Sequence, residues 1–482
     1  MKHHLAGIMG AGLLALAACA QPPATPEAIE PNPSNRSAES LALTLGEAIR
    51  FETISEMGNP DACRAEFDAF RDWLGMSFPL VHARMRPEDI LHGSLWYTLE
   101  GTNPALDPIV ILAHQDVVPV EPGTEDQWDH PPFSGTIADG YVWGRGALDM
   151  KGFLVMLIVA METLLEEGFT PERTIHIGLG HDEEVGGTGA AAMAERLASE
   201  GRRAWFVLDE GGTSLETFPM TGGPVGLIGV GEKGSLSVEV IARARGGHSS
   251  APPPETAIGL LSRAINAIVD NPFEHAIDHP VPDMMRALAP DMDGMAGFVM
   301  ARPVLFGSVL RGQMMEDDAT RATIGTSIAP TIISGGTVAN VLPQEARAVI
   351  NLRLHPRDSV ESALAHMRRS VSHLDGVTIE PVSGFDAPPI SPTSGRAWEI
   401  IAGAAVSHLP ENAPVVPNLL TAATDSRAFK DVADHIYRYA PMRMEMDDLS
   451  RIHGDNERIR IDALPGMVSY FRTVISEAGM EG

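Results

Sequence analysis

The chain has 482 residues, more than a single ordinary core organises, so we expect two domains or one domain with a large insertion. Its 44% hydrophobic and 21% charged residues are typical of a globular protein. The formal net charge of -29 disfavours nucleic acid and anionic membrane surfaces as partners, because both would repel the chain. Solubility alone explains much of that excess, so only part of it can reflect carboxylates gathered around cations.

The N-terminus predicts an export signal over residues 1–18. Lys2 precedes an apolar stretch from Leu5 to Ala18, which is shorter than the roughly 20 residues that a membrane-spanning helix needs. The stretch ends in Leu16-Ala17-Ala18-Cys19, which resembles the lipobox of bacterial lipoproteins, whose cysteine is acylated. We therefore expect lipidation at Cys19, with an ordinary secretory signal as the alternative.

The Pro-rich residues 19–36 are predicted to be an extended tether between lipid and domain. Ala20 offers no acidic retention signal, so the expected location is the periplasmic face of the outer membrane. If Cys19 is lipidated, Cys63 has no intramolecular disulfide partner. Cys63 is then predicted to be a small buried side chain.

The chain then divides into one domain in two parts and a second domain inserted between them. Residues 37–233 and 385–482 are predicted to form the first domain, and residues 234–384 the insertion. In the first domain, the apolar run from Ile109 to Ala113 is typical of a strand buried on both faces. The run is followed at once by His114.

Two later strands repeat this pattern, since 173–179 precedes Glu183 and Glu184, and 204–208 precedes Asp209 and Glu210. Each strand leads through its polar residues into a helix. The repetition predicts an α/β fold with a mostly parallel, doubly wound sheet, whose functional site lies at the carboxyl edge of the strands.

The inserted domain reads as β-α-β-β-α-β, the order of a ferredoxin-like α+β module, and we expect it to act as a lid or dimerisation domain. Within it, residues 271–321 are rich in Met and Pro and show no clean period. Two interpretations remain open for this excursion. It is either an adaptable apolar lid over the site or a loop packed on its own domain.

Polar residues at the sheet edge suggest a metal site. Adjacent Glu183 and Glu184 would raise each other's pKa in a cleft unless cations are present. Histidine and carboxylate ligands without cysteine suit Zn²⁺, with Co²⁺ or Mn²⁺ as substitutes. Two ions need a bridging carboxylate, and Asp149, which lies between two glycines at Gly146 and Gly152, is well placed for that.

Several motifs together resemble the M20 metallopeptidases, which include aminoacylases and glutamate carboxypeptidases. Within that family the chain is most similar to the carboxypeptidase S and secreted N-acyl-amino-acid hydrolase branch. The resemblance covers nearly everything from about Ser37 to the C-terminus. It rests on His114-Gln115-Asp116, Gly146-Ala147-Leu148-Asp149, Glu183-Glu184, Asp209-Glu210-Gly211, Gly247-His248-Ser249-Ser250, Gly335 to Pro343, Asn351 to Pro356, and His453-Gly454-x-Asn456-Glu457.

The resemblance implies a dinuclear zinc site and assigns its residues. The implied metal ligands are His114, Asp149, Glu184, Glu210 and His453, with Asp149 bridging the two ions. Family members differ in which residue of the Asp-Glu pair binds, and we choose Glu210 over Asp209. Asp116 would orient His114, and Glu183 would be the general base.

The resemblance also implies residues that handle the substrate. His248 would stabilise the oxyanion from the inserted domain, often across a dimer, although a surface-loop histidine is an equally simple interpretation. Asn340 and Arg353 would help to hold a substrate carboxylate, and Arg427 is a further candidate. For Arg353 a structural salt bridge is a comparable alternative.

The expected function is therefore zinc-dependent hydrolysis of an amide next to a free carboxylate, as a carboxypeptidase or dipeptidase acting on short peptides. An N-acyl-amino-acid hydrolase is the first alternative, because only the acyl group differs. A non-catalytic lipoprotein that binds peptides is the second. A homodimer through the inserted domain is usual in the family that the chain resembles, but this branch includes single-chain arrangements, so both states stay open. We expect contact with a membrane only through the lipid anchor.

Overall fold

The computed structural model describes residues 26–59, 61–410 and 412–481; Cys19 and the predicted signal peptide lie outside this range. Its helices are α1 (Ala38–Ile49), α2 (Arg64–Ser77), α3 (Pro79–Met85), α4 (Lys151–Glu166), α5 (Thr188–Ser199), α6 (Ala257–Val269), α7 (Val281–Leu288), α8 (Gly294–Met300), α9 (Pro303–Met314), α10 (Asp318–Thr323), α11 (Val360–Ser370), α12 (Arg396–His408) and α13 (Leu464–Gly479). Its strands are β1 (Glu88–Leu91), β2 (Ser94–Leu99), β3 (Ile109–His114), β4 (Thr136–Ala138), β5 (Tyr141–Trp143), β6 (Ile175–Gly180), β7 (Ala204–Asp209), β8 (Ser214–Leu215), β9 (Val225–Glu232), β10 (Gly234–Arg243), β11 (Gly247–His248), β12 (Ser327–Gly335), β13 (Val341–Leu342), β14 (Glu345–Leu354), β15 (Val377–Phe385), β16 (Val415–Leu420), β17 (Ala433–Arg438), β18 (Arg443–Met444) and β19 (Arg458–Arg460).

The larger sheet carries the site and has the strand order β1-β2-β6-β3-β7-β17-β9-β8-β18, with β16 paired to β9. Strand β3 lies parallel to both β6 and β7, and β7 lies parallel to β17. All six residues of β3 are buried, because helices cover both faces of the sheet. Helices α1, α4, α12 and α13 contribute to the core on one face, and α5 packs on the other. This arrangement confirms the predicted α/β class.

A four-stranded sheet lies in the inserted part of the chain and has the order β12-β14-β10-β15. All its neighbours are antiparallel. Helices α6 and α11 supply buried residues to one core with this sheet. The order and the pairing are those of the ferredoxin-like module that the sequence predicted.

The Met-rich excursion forms four short helices, α7 to α10, although its sequence shows no clean period. Met285, Met300 and Met314 are buried together in a small core of its own. Leu288 packs outside that core, against Val225 and Val416 of the larger sheet. The excursion is therefore a helical layer that also contacts the first domain. Short helices with their own local core give only a weak periodic signal, which explains why the sequence missed them.

Two expectations about the N-terminal region need correction. Residues of the predicted tether pack on the first domain, since the Asn32 side chain donates to Ser476 Oγ at 3.0 Å and its backbone N–H to Thr473 Oγ1 at 3.0 Å. The packed chain thus begins before Ser37. Cys63 is exposed rather than buried, because it lies at the surface turn that precedes α2. Among the described residues, no helix is long and apolar enough to cross a membrane.

Candidate metal centre

His114 lies at the carboxyl end of β3 and is held from behind by Asp116. Its Nδ1 is 3.0 Å from the Asp116 carbonyl oxygen and 3.3 Å from Asp116 Oδ1. Asp116 is fully buried and also accepts a hydrogen bond from Ser55 Oγ at 2.6 Å. Because Nδ1 is occupied in this way, Nε2 of His114 is directed at the carboxylates in front of it.

Asp149 lies between the two histidines of the site. Its Oδ1 is 3.1 Å from His114 Nε2, and its Oδ2 is 3.0 Å from His453 Nε2. One carboxylate therefore presents one oxygen to each histidine. This is the arrangement expected of a residue that bridges two metal ions.

Each of the two histidines also contacts one glutamate. Glu210 Oε1 lies 3.3 Å from His114 Nε2, and Glu184 Oε2 lies 3.1 Å from His453 Nε2. With Asp149 shared, the first group is His114 and Glu210, and the second is His453 and Glu184. Potential ligand atoms of His114, Asp149 and Glu184 lie within 4.8 Å of one another.

Asp209, the alternative ligand to Glu210, is engaged elsewhere. Its Oδ1 accepts from the backbone N–H of Glu210 at 2.9 Å, and its Oδ2 from that of Ser426 at 2.8 Å. Asp209 is 1% exposed. This geometry favours Glu210 as the ligand and gives Asp209 the task of fixing the Glu210 backbone.

Glu183, the predicted general base, begins a 3₁₀ turn, Glu183–Val185, after β6. The backbone N–H groups of Glu183 and Glu184 donate to Asp116 at 3.2 and 3.1 Å. The carboxylate that orients His114 thus also fixes the turn that carries both glutamates. Carboxylate and imidazole atoms of Glu183, His114 and Glu210 form a second group within 4.8 Å.

Glu457 is a site residue to which the sequence analysis gave no role. It is fully buried, and its carboxylate accepts from the backbone N–H groups of Gly146, Leu148 and Asp149 at 3.0, 2.7 and 3.0 Å. Arg145 Nη1 also donates to it at 2.7 Å. A role could have been predicted from its place in the motif His453-Gly454-x-Asn456-Glu457, because that motif also contains the predicted ligand His453.

Asp425 also lies in the site without having been predicted. It is 4% exposed, and its Oδ1 has no hydrogen-bond partner within the described residues. Burial and the nearby carboxylate of Asp209 raise its pKa well above the usual range. The sequence shows it only as part of the segment Thr424-Asp425-Ser426-Arg427, where nothing separates it from its neighbours.

The pKa values show how much negative charge is concentrated here. Burial, reinforced by Asp149, raises the pKa of Glu210 to about 8. Burial likewise raises the pKa of Glu183 well above its usual value and that of Glu184 in the same direction. Hydrogen bonds to Asp149 and Glu184 raise the pKa of His453 to about 10. The cluster therefore favours bound positive charge.

Divalent cations fit this cluster on the chemistry of the residues present. The five predicted ligands offer two imidazole nitrogens and three carboxylates. Glu184 Oε1 is buried without a hydrogen-bond partner within the described chain, which is costly unless a cation or a proton satisfies it. Two ions would replace the protons that the raised pKa values otherwise require.

Comparison with known proteins shows the family to which the chain belongs. The family model described as peptidase family M20/M25/M40 matches residues 110–477. The chain belongs to this M20 family. Its relatives include the human N-fatty-acyl-amino acid synthase/hydrolase, 34% identical over 448 residues that cover 91% of this chain and 88% of that protein. Carboxypeptidase S of Saccharomyces cerevisiae is 31% identical over 480 residues, covering 88% of this chain and 81% of that protein.

Solved structures show the same fold. An M20 family metallo-carboxypeptidase from Sulfolobus solfataricus superposes with a TM-score of 0.66 at 18% identity, covering 91% of this chain and 99% of that one. Human carnosine dipeptidase 1 gives a TM-score of 0.61 at 16% identity, covering 92% and 97%. The predictions of an M20 hydrolase and of its fold are thereby confirmed.

Of the predicted substrate-binding residues, only Arg427 contacts the carboxylate cluster within the described residues. Arg427 Nη1 lies 3.9 Å from Glu183 Oε1, and its guanidinium donates to the carbonyl oxygens of Thr424 and Gly186 at 2.6 and 3.0 Å. His248 is exposed, and its Nδ1 lies 2.8 Å from Ser250 Oγ.

Asn340 and Arg353 lie in the inserted domain and are exposed. Asn340 is next to His248 in space, because its carbonyl oxygen accepts from the N–H of Ser249 at 3.1 Å. Across the described residues, no hydrogen bond or ion pair joins Asn340, Arg353 or His248 to the carboxylate cluster. Their roles stay predictions.

Proposed function

We propose that this M20 hydrolase uses two zinc ions to cleave the amide bond next to a free C-terminal carboxylate. The observation that carries the proposal is Asp149, whose two oxygens each face one histidine at 3.1 and 3.0 Å. Imidazole and carboxylate ligands without cysteine favour Zn²⁺, and Co²⁺ or Mn²⁺ would substitute in the same donor set. His114, Asp149 and Glu210 would hold one ion, and His453, Asp149 and Glu184 the other.

When bound, the ions supply a water of lowered pKa and a Lewis acid for the scissile carbonyl. Glu183 accepts the proton of the attacking water and passes it to the leaving nitrogen. Its position suits both steps, because its carboxylate lies within 4.8 Å of potential ligand atoms of His114 and Glu210. Asp116 takes no proton in this scheme; it positions His114 and the turn of Glu183.

Recognition of the substrate is proposed to require the inserted domain. His248 would donate to the oxyanion, and Asn340 and Arg353 would bind the carboxylate when the domain closes over the cleft. Arg427, already fixed beside Glu183, would contribute a charge from the first domain. A homodimer that brings His248 across from a second copy is part of this proposal.

Two classes of acyl group fit this chemistry. Short peptides would make the enzyme a carboxypeptidase or dipeptidase, in keeping with the relative named carboxypeptidase S. N-fatty-acyl amino acids are the second candidate, because relatives that cover about nine-tenths of the chain carry the name N-fatty-acyl-amino acid synthase/hydrolase. In both, water adds to the same amide and only the acyl group differs.

The chain's first residues support a proposed location. The apolar stretch from Leu5 to Ala18 and the following Cys19 suit an exported lipoprotein anchored at the periplasmic face, in the outer membrane. Mass spectrometry of the membrane fraction would detect a diacylated N-terminal cysteine. A mature protein that begins elsewhere and carries no lipid would overturn this part of the proposal.

Turnover of a matched panel tests the activity. The zinc-loaded wild type and Glu183→Ala are given dipeptides and N-fatty-acyl amino acids, each with a free or an amidated C-terminus, and products are measured by mass spectrometry. We expect release of the C-terminal residue only from the free acids and only by the wild type. Cleavage of the dipeptides or of the N-fatty-acyl amino acids then shows which acyl group the enzyme accepts. Absence of all turnover with two ions bound would favour the non-catalytic peptide-binding alternative.

A further inference from the structure

The surface of α8 and α9 exposes an unusual amount of apolar side chain. The exposed fractions are 73% for Met295, 47% for Phe298, 87% for Val304, 66% for Leu305 and 56% for Val309. Contiguous apolar patches of this kind are uncommon on soluble surfaces and usually mark a contact with a protein or a membrane. We refer to these five residues as the apolar ridge.

The ridge is not needed for packing inside the excursion. The opposite sides of the same helices supply Met300, Leu310 and Met314 to the excursion's own core. Phe298 also contacts Phe306 edge to face, with ring centroids 5.8 Å apart, so α8 and α9 form one continuous surface. The ridge side chains therefore point away from a core that is already complete.

The charge of the ridge differs from that of the rest of the chain. Residues 294–315 contain Arg302 and Arg311 and no acidic residue, with Asp291 and Asp293 before them and Glu316, Asp317 and Asp318 after them, whereas the chain as a whole has 64 acidic and 35 basic residues excluding histidine. The Arg302 guanidinium lies 4.1 Å from the centroid of the Phe298 ring, at the edge of the ridge. Apolar side chains bordered by arginines suit the boundary between acyl chains and phosphate headgroups.

The position of the N-terminal segment points to the same surface. Pro26 and Ala28 line a cavity of about 490 Å³ between the first domain and the excursion, where Ala287 of α7 and Pro290 and Asp291, a few residues before α8, also lie. Pro26 is the first residue that the structure describes, so the proposed anchor at Cys19 precedes this cavity in the chain. A lipid at Cys19, seven residues before Pro26, would thus hold the membrane within roughly 25 Å of the segment that leads into α8.

We propose that the apolar ridge docks on the surface of a phospholipid bilayer. This contact is additional to the lipid anchor expected from the sequence. The chain's net charge of -29 selects a zwitterionic rather than an anionic surface, and Arg302 and Arg311 would reach its phosphates. The proposal uses the anchor only to locate the membrane; docking itself depends on the ridge.

Tryptophan quenching tests the docking with the full, anchored chain. Val304→Trp and the control Val382→Trp are reconstituted in phosphatidylcholine vesicles with ordinary or brominated acyl chains. Val382 is 63% exposed on β15 of the same domain, outside the ridge. The wild type gives the background of its six native tryptophans. We expect brominated lipid to quench the added emission of Val304→Trp, with a blue shift, and to leave that of Val382→Trp unchanged.

Absence of quenching in Val304→Trp, or equal quenching in the control, would overturn the proposal. The double variant Val304→Asp and Leu305→Asp tests the other candidate for binding to the ridge, which is a second copy of this chain. If these changes convert a dimer into a monomer in analytical ultracentrifugation in detergent, the ridge is a protein interface and the membrane proposal fails. Cys19→Ser removes the proposed site of lipidation and so tests the anchor separately from the ridge. Turnover of a soluble substrate by Val304→Asp checks that the protein is folded.

Discussion

Glu457 fixes the backbone of Asp149 from below the metal centre: its Oε1 accepts the Asp149 N–H at 3.0 Å. The same buried carboxylate binds Arg145, whose Nη2 donates to the carbonyl oxygen of His453 at 3.2 Å. Asp149 and His453 come from distant parts of the sequence. Glu457 and Arg145 therefore connect Asp149 to one of the two histidines that it contacts.

Glu457→Gln should weaken metal binding although Glu457 touches no ion. The neutral amide is a weaker acceptor for three backbone N–H groups and for Arg145, so the Asp149 loop loses its fixed geometry. Loss of such supporting bonds typically costs about 10- to 100-fold in metal affinity. Zinc titration with a competing chelator measures the effect.

Glu162→Gln is the matched control for that experiment. Glu162 is also buried and accepts two backbone N–H groups, from Leu80 and Val81 at 3.0 and 2.8 Å, but at α4 and away from the site. It should keep wild-type zinc affinity. Equal losses in both variants would show that the effect of Glu457 is one of general stability.

His453→Ala and Asp149→Ala should differ in the number of ions they retain. His453 contacts only one oxygen of Asp149 and also contacts Glu184, so removing His453 should release one ion and leave the other with His114 and Glu210. Removing Asp149 should disturb both. Metal content by mass spectrometry of dialysed protein counts the ions. Equal content in the two variants would contradict a bridging role for Asp149.

Glu183→Gln should lose turnover while keeping its metal. The amide has nearly the same shape but cannot accept the water proton, and loss of a general base typically lowers kcat by about 10²- to 10⁴-fold. KM should change little, because Glu183 is assigned to the proton and not to binding. Metal content equal to that of the wild type is the control. A kcat within a factor of a few of the wild-type value would remove Glu183 from the mechanism.

Much of the fold could be predicted from residues close in sequence. The apolar run before His114 predicted a buried strand, and the adjacent Glu183 and Glu184 indicated a cation site, whereas the roles of the individual ligands were implied by the family resemblance. The helices α7 to α10 and the surface position of Cys63 could not be predicted, because they depend on packing between short segments. Glu457 and Asp425 were missed because their role arises only when distant segments meet.

His176 should lower the free energy of unfolding as the pH is lowered. Burial, with a smaller effect of Arg202, lowers its pKa from 6.5 to about 3, and it is 1% exposed beside Trp96. Between about pH 6.5 and 3 the unfolded chain binds a proton that the folded chain does not, so folded stability decreases as pH falls through this window. His176→Gln should remove roughly 4 kcal/mol of that decrease at the low end. Urea unfolding of both metal-free proteins across this range measures it; parallel curves would contradict the prediction.

We propose that two ions held by Asp149 drive hydrolysis of an amide beside a carboxylate. The most direct test reloads metal-depleted protein with zinc in steps and measures bound zinc and turnover on the same samples, with one cleaved substrate and its C-terminal amide. We predict that turnover of the free acid reaches its maximum at two zinc ions per chain and that the amide is not cleaved. Full turnover without metal, or equal cleavage of the amidated substrate, would contradict the account.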